Sequence, residues 1–433
     1  LGDSDSLGDA RCKQANAFAT PSTIKSKMDA SIRGGGRLSA KRGLDLLLLD
    51  GRTTMKRAAL SALCATLIAT AATAAPVVRQ EIRTKAGKPW VHKGSKFAFP
   101  AMIGPFSRRM VEDISDGKQI DLAGTYDEPG SQTLASVYIY RPAMPDPALW
   151  FDISSWYLQR SQLLGGVGKG AAPTAFQMGS GSDTSALRQS YALASNNVGS
   201  TGLAIVPMGR WIVKLRMTSR TLSPAALDQA MRDFLYGLSW PSNVPRKDTV
   251  PIGACLRSLT NERAEELEQP SAVILVGAML ASMAEKPEAD APTEPPARLC
   301  RDDIRSNASR PLYQLDDGAT GYLQPLGDNG TLLVVRNDPT SAALIVELAG
   351  GDKSESRELS GQKDDDKKAS AYDGRKGFFR ITLMTPEQWA QYPAFDSLPS
   401  IEQTTDVVEN RRPLSVTSFL KKTEITLDPA TFK

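Results

Sequence analysis

Histidine is almost missing from this 433-residue chain. The one histidine, His92, stands between Trp90 and Lys93 just ahead of the first expected strand, and it reads as a surface or edge residue rather than a general base. One histidine and a few distant cysteines leave no tetrahedral zinc set. The nucleophile elbow G-x-S-x-G does not occur. Beyond residue 74, S-x-x-K occurs at Ser360 with Lys363 and at Ser418 with Lys421, in unrelated contexts and without a K-T-G partner, so neither is read as catalytic. The acidic run Asp364, Asp365, Asp366 lacks the spacing of a calcium loop and reads as a solvated loop tip. Residues 165–170 (GGVGKG) lack the leading glycine of a phosphate-binding loop, whose place Leu163 holds, and the Ser or Thr after Lys169, and read as a helix exit. No catalytic, cofactor-binding or metal residue is assigned, and no cofactor is expected.

What the chain does carry is an export signal in an unusual place. Residues 55–74 supply an initiator-like Met55, basic Lys56 and Arg57, an apolar run over 58–69 and the small residues Ala72 and Ala74 before a cut after Ala74. Residues 1–54 then read as a non-native upstream extension. The apolar run is shorter than the roughly 20 residues that span a bilayer, so no membrane span is expected after processing. Formal charge follows the same division: the whole chain is +4, but eleven basic and six acidic residues precede Ala75, which leaves about −1. Basicity that might have suggested nucleic acid therefore falls in the leader, and no nucleic-acid partner is expected. Of four cysteines, Cys255 and Cys300 remain after the cut, an even pair that predicts a disulfide in an exported protein.

Beyond the leader, the pattern predicts two domains, 85–242 and 251–433, divided by the proline-punctuated stretch 241–251. In the first, strands are expected at 96–99, 110–114, 121–126, 136–140 and 186–193. A hairpin of 201–206 and 210–217 should turn across Pro207, Met208 and Gly209, with Trp211, Val213, Leu215 and Met217 on one face and Arg210, Ile212, Lys214 and Arg216 on the other, one face buried and the other largely wet. Asp146 and Pro147 should start one helix, with Leu149, Ile153, Trp156, Arg160 and Leu163 on its packing face and Gly165 at its end. Ser223 and Pro224 should start another, with Leu227, Met231, Phe234, Leu235 and Leu238 on its buried stripe.

Segments 97–100 (FAFP), 137–140 (VYIY) and 211–218 (WIVKLRMT), the last leading into a helix that ends near Trp240, resemble the PsbP-like α/β/α sandwich of photosystem extrinsic subunits and bacterial envelope proteins. The resemblance covers about residues 85–242. It implies an α+β fold, an antiparallel sheet with packed helices, and a non-enzymatic envelope role. The second domain reads as β-rich, with an N-terminal helix at 272–283 and a Pro-rich loop at 286–297. Strands are expected there at 331–335, 342–348, 378–383, 415–419 and 424–427, and a short helix at 386–392. The functional expectation is a non-catalytic exported envelope protein, periplasmic or secreted, that binds a protein partner or a small ligand. The alternative is a periplasmic hydrolase using a carboxylate pair drawn from Asp113, Asp116, Asp121 and Asp127.

Overall fold

The computed structural model describes residues 79–433 apart from 162–165, 179–182, 195–198, 285–297, 344–376 and isolated positions. The upstream extension, the signal segment with its cut after Ala74, the 286–297 loop, Ser360, Asp364 to Asp366 and Lys421 lie outside the described residues.

Strands Gln80–Glu81 (β1), Trp90–Val91 (β2), Ala98–Phe99 (β3), Met102–Ile103 (β4), Phe106–Asp113 (β5), Asp121–Glu128 (β6) and Thr133–Tyr140 (β7) precede helix Pro147–Gln159 (α1). Then come Thr174–Phe176 (β8), Ala186–Ala192 (β9), Ser200–Met208 (β10), Trp211–Ser219 (β11) and helix Pro224–Tyr236 (α2). Among the described residues these strands form an antiparallel sheet ordered β1-β5-β6-β7-β11-β10-β9-β8, with β4 beside β5; β2 and β3 pair apart from it. The β10–β11 hairpin turns on Gly209 and Arg210, not across three residues, because Gly209 takes a φ of +64° that suits glycine.

Helices cover both faces of this sheet. Ser223 Oγ accepts from Ala226 N at α2's start, and the expected stripe of Leu227, Met231, Phe234 and Leu235 packs with Val213, Leu215 and Met217. On the other face α1 starts as expected, Asp146 Oδ1 accepting from Leu149 N at 2.9 Å, but it stops at Gln159. The expected single packing face is corrected. Leu149, Trp150, Phe151, Ile153, Ser154, Ser155, Trp156 and Leu158 are all buried, because α1 has neighbours on more than one side.

The second neighbour is another sheet. Helix Ser271–Ala284 (α3) leads into Leu299–Arg301 (β12), Tyr313–Leu315 (β13), Gly321–Pro325 (β14), Leu332–Asn337 (β15), Phe379–Met384 (β16) and Gln388–Phe395 (β17). Helix Ile401–Asn410 (α4) and strands Ser415–Ser418 (β18) and Glu424–Leu427 (β19) close the chain. Strands β12 to β19 pair antiparallel in sequence order. One hydrophobic core takes in Leu149, Trp150 and Ile153 of α1, Tyr140, Leu203 and Ile212 of the first sheet, and Tyr313, Leu323, Leu332 and Val334 of the second. This explains a further correction: Ile212 and Lys214, on the face expected to be largely wet, are 0 % and 5 % exposed.

Three expectations in the second half change. The helix at 386–392 is instead the turn into β17: Thr385 Oγ1 accepts the amides of Glu387 and Gln388, and the chain doubles back on β16. The strand at 342–348 begins as helix, since residues 341–343 are helical and Asp338 Oδ1 accepts from Ser341 N; 344–348 lie outside the described residues. Helix α4 was not expected, its buried residues being only Thr404, Val407 and Val408, yet Ser400 Oγ caps it by accepting from Gln403 N. Cys255 and Cys300 form the disulfide. Closing a loop of that length stabilises the fold by about 4 kcal/mol in the chain-entropy account.

Candidate functional site

The most unusual group in the first sheet is a lysine at its centre. Lys214 lies on β11 opposite Tyr138 of β7, and Asp121 of β6 lies opposite Tyr140 of the same strand, so pleating places all four on neighbouring strands. The turn between β14 and β15 delivers the counter-charge. Asp328 Oδ2 is 2.7 Å from Lys214 Nζ, and Asp328 Oδ1 accepts from Ser154 Oγ of α1 at 2.7 Å. Lys214 Nζ also donates to the Asp328 carbonyl at 3.3 Å and lies 5.0 and 5.2 Å from the ring centres of Tyr138 and Tyr140.

The turn that carries Asp328 is itself held in place. Gly330 has φ +90°, accepts from Ala143 N at 2.9 Å, and would put a Cβ 2.9 Å from Pro142 Cα. Glycine is required there by both conformation and space.

Burial pushes the Asp121 carboxyl up to about 7; Lys214 and Arg79 oppose that rise, while Asp328 and Asp113 add to it. Burial first, then the charges of Asp328 and Asp121, holds the Tyr140 phenol well above its usual value. Its hydroxyl has no hydrogen-bond partner among the described residues. A carboxyl raised to about 7, a buried lysine and a second, partly exposed carboxylate therefore lie within electrostatic reach of one another.

The four candidate carboxylates have different fates. Asp113 is buried and pins the turn between β5 and β6, accepting from Ser115 N and Oγ on Oδ1 and from Gln119 N on Oδ2. Asp116 is an exposed turn residue with φ +55°. Asp127 sits six residues beyond Asp121, roughly 20 Å along β6, where it accepts from Ser107 Oγ and faces Arg109 at 3.7 Å. Only Asp113 and Asp121 share an electrostatic neighbourhood. The true neighbour of Asp121, Asp328, was not among the candidates. A DNG turn between strands was its only sequence signal.

His92 is not at the surface. It is buried, its Nδ1 accepts from Ser95 N at 3.2 Å, and its ring meets Trp211 edge-on at 5.1 Å, because β2 and β3 fold over that end of the sheet. Burial lowers its pKa against the opposing charge of Asp113, and its contacts are those of a packing residue. Of the glycine-rich segment, Gly166, Val167 and Gly168 lie along residues 192–194, which makes them an edge of the sheet rather than a helix exit. Ser418 lies in β18 opposite Gln388 and Glu424.

A second polar cluster joins α1 to the second sheet. Asp152 accepts from Arg301 Nη1 at 2.6 Å and from Tyr313 Oη at 2.8 Å, and Arg301 also meets Asp303. A third lies within the second sheet, where buried Arg380 reaches Gln391 Oε1, Ser341 Oγ and Asp338 beneath Gly277 of α3. Outside these clusters, the two segments tied by the disulfide carry Leu256 and Ile304 at 91 % and 82 % exposure.

Comparison of the chain with protein-family models, with curated proteins and with solved structures finds no match.

Proposed function

We propose that this is a non-catalytic exported protein of a bacterial envelope, periplasmic or secreted, that acts by binding a protein partner. The observation that carries the reading is the pair Leu256 and Ile304, large aliphatic side chains left almost wholly in water on segments fixed by the Cys255–Cys300 bond. Apolar side chains presented on a rigid support are what an interface core uses, since little ordering cost remains at binding. The layering of α1, sheet and α2 supports the PsbP-like reading of residues 85–242, and the export signal supports the location. Against the carboxylate-pair hydrolase stands the engagement of Asp328 by Lys214; in its favour stands the raised Asp121 carboxyl alone.

A photo-crosslinking residue placed at Leu256 tests the proposal in the envelope of the native host. The expected result is one discrete adduct, lost when Ile304 is also changed to Ser and absent with the probe at exposed Arg412. An equal, diffuse yield at Leu256 and Arg412 overturns the binding reading.

A further inference from the structure

We propose that Lys214 and Asp328 are a self-modification site, joined through an amide between Nζ and Cγ that the folded chain forms by itself. Nζ and the carboxyl are already in contact, with 2.7 Å between Nζ and Oδ2. Lys214 is 5 % exposed and flanked by the rings of Tyr138 and Tyr140, so its ammonium has little water around it. Ser154 Oγ, on α1, is fixed 2.7 Å from the other carboxyl oxygen, Oδ1. Asp121, a second carboxyl, is near enough for Lys214 and Asp328 to be the two strongest charges acting on it.

In water, an ammonium and a carboxylate do not condense, because the amine lone pair is held by a proton and the carboxylate carbon is a poor electrophile. Contact with a buried lysine changes both. Across the 2.7 Å contact the ammonium passes its proton to the carboxylate oxygen, and the amine–acid form so reached is the one that reacts. Groups held in contact by a folded chain react with effective molarities on the order of 10⁵ M or more when aligned. The Nζ lone pair attacks Cγ, forming the C–N bond and moving the C=O electrons onto Oδ1, where the Ser154 hydroxyl donates to the developing oxyanion. Asp121 in its acid form gives a proton to the Oδ2 hydroxyl, which leaves with the C–O bonding pair as water. The proton lost from Nζ restores Asp121. Ammonium and carboxylate have become an amide and one water, with no change of oxidation state and no co-reactant.

The product has a structural logic. Both charges disappear from a buried place, and a covalent tie joins β11 of the first sheet to the β14–β15 turn of the second across 114 positions of sequence. Such a tie would hold together the two sheets that α1 separates, in a compartment where proteolysis of opened chains is a hazard.

Intact-mass measurement on the denatured protein, with the disulfide reduced and the N-terminus determined, tests this directly. The expected wild-type mass is one water below that of the sequence, and digestion should yield a branched peptide containing both Lys214 and Asp328. K214M and D328A should show their full sequence masses. D121N, which keeps the shape of the pocket, should show full mass or slow conversion. A wild-type protein at full sequence mass overturns the proposal, as does a missing water that persists in K214M. Conversion of D121N at the wild-type rate overturns the role given to Asp121. Each of these results is independent of whether Leu256 contacts a partner.

Discussion

D121N should remove a fall in stability that the wild-type protein shows between about pH 4 and pH 7. The folded carboxyl titrates near 7 and the unfolded one near 3.8. Between those values the folded state keeps a proton that the unfolded state has released, so stability drops as pH rises and levels off above 7. Each unit of separation is worth about 1.4 kcal/mol, and the residual solvent contact of Asp121 reduces the total to about 2–4 kcal/mol. Urea titrations of both proteins at pH 4.5, 6 and 8 measure it. Apart from any constant offset that the Lys214–Asp328 tie adds, the wild-type protein should lose that much stability relative to the variant between pH 4.5 and pH 8. Parallel curves would show that Asp121 titrates as an ordinary carboxyl.

W150A should cost about 3–5 kcal/mol, the range for removing a buried Trp side chain. Trp150 is wholly buried in the core shared by α1 and the two sheets, meets Tyr140 edge-on at 5.8 Å and donates from Nε1 to the Met144 carbonyl at 2.7 Å. Truncation leaves a cavity next to both sheets and an acceptor without its donor. The loss should appear as a lower urea midpoint with an unchanged slope. A change under about 1 kcal/mol would mean that the core around α1 is loosely packed.

Local structure was legible where a local rule governs it. Asp146 before Pro147 and Ser223 before Pro224 announce helix starts, and both side chains cap as expected. The pairing of Cys255 with Cys300 followed from parity once the leader was set aside. Burial of Lys214 was not legible, because alternation along β11 assigns a face to water only when nothing else covers it, and the cover comes from residues more than a hundred positions away. The same distance hid Asp328 as the partner of Lys214 and Arg301 as the partner of Asp152. In β17 the run QWAQYPAF mixes glutamines with small residues, so period-2 alternation is blurred and the segment imitates a helix.

The burial of Lys214 and of α1 on several sides has one cause: α1 is a core element shared by two sheets, Arg301–Asp152 and Ser154–Asp328 tie it to the second, and Lys214–Asp328 ties the sheets to each other. Differential scanning calorimetry at pH 6 tests that directly. One transition with equal calorimetric and van't Hoff enthalpies is predicted, since neither sheet can release α1 without exposing the core of the other. Two separable transitions, with W150A shifting only one of them, would contradict it.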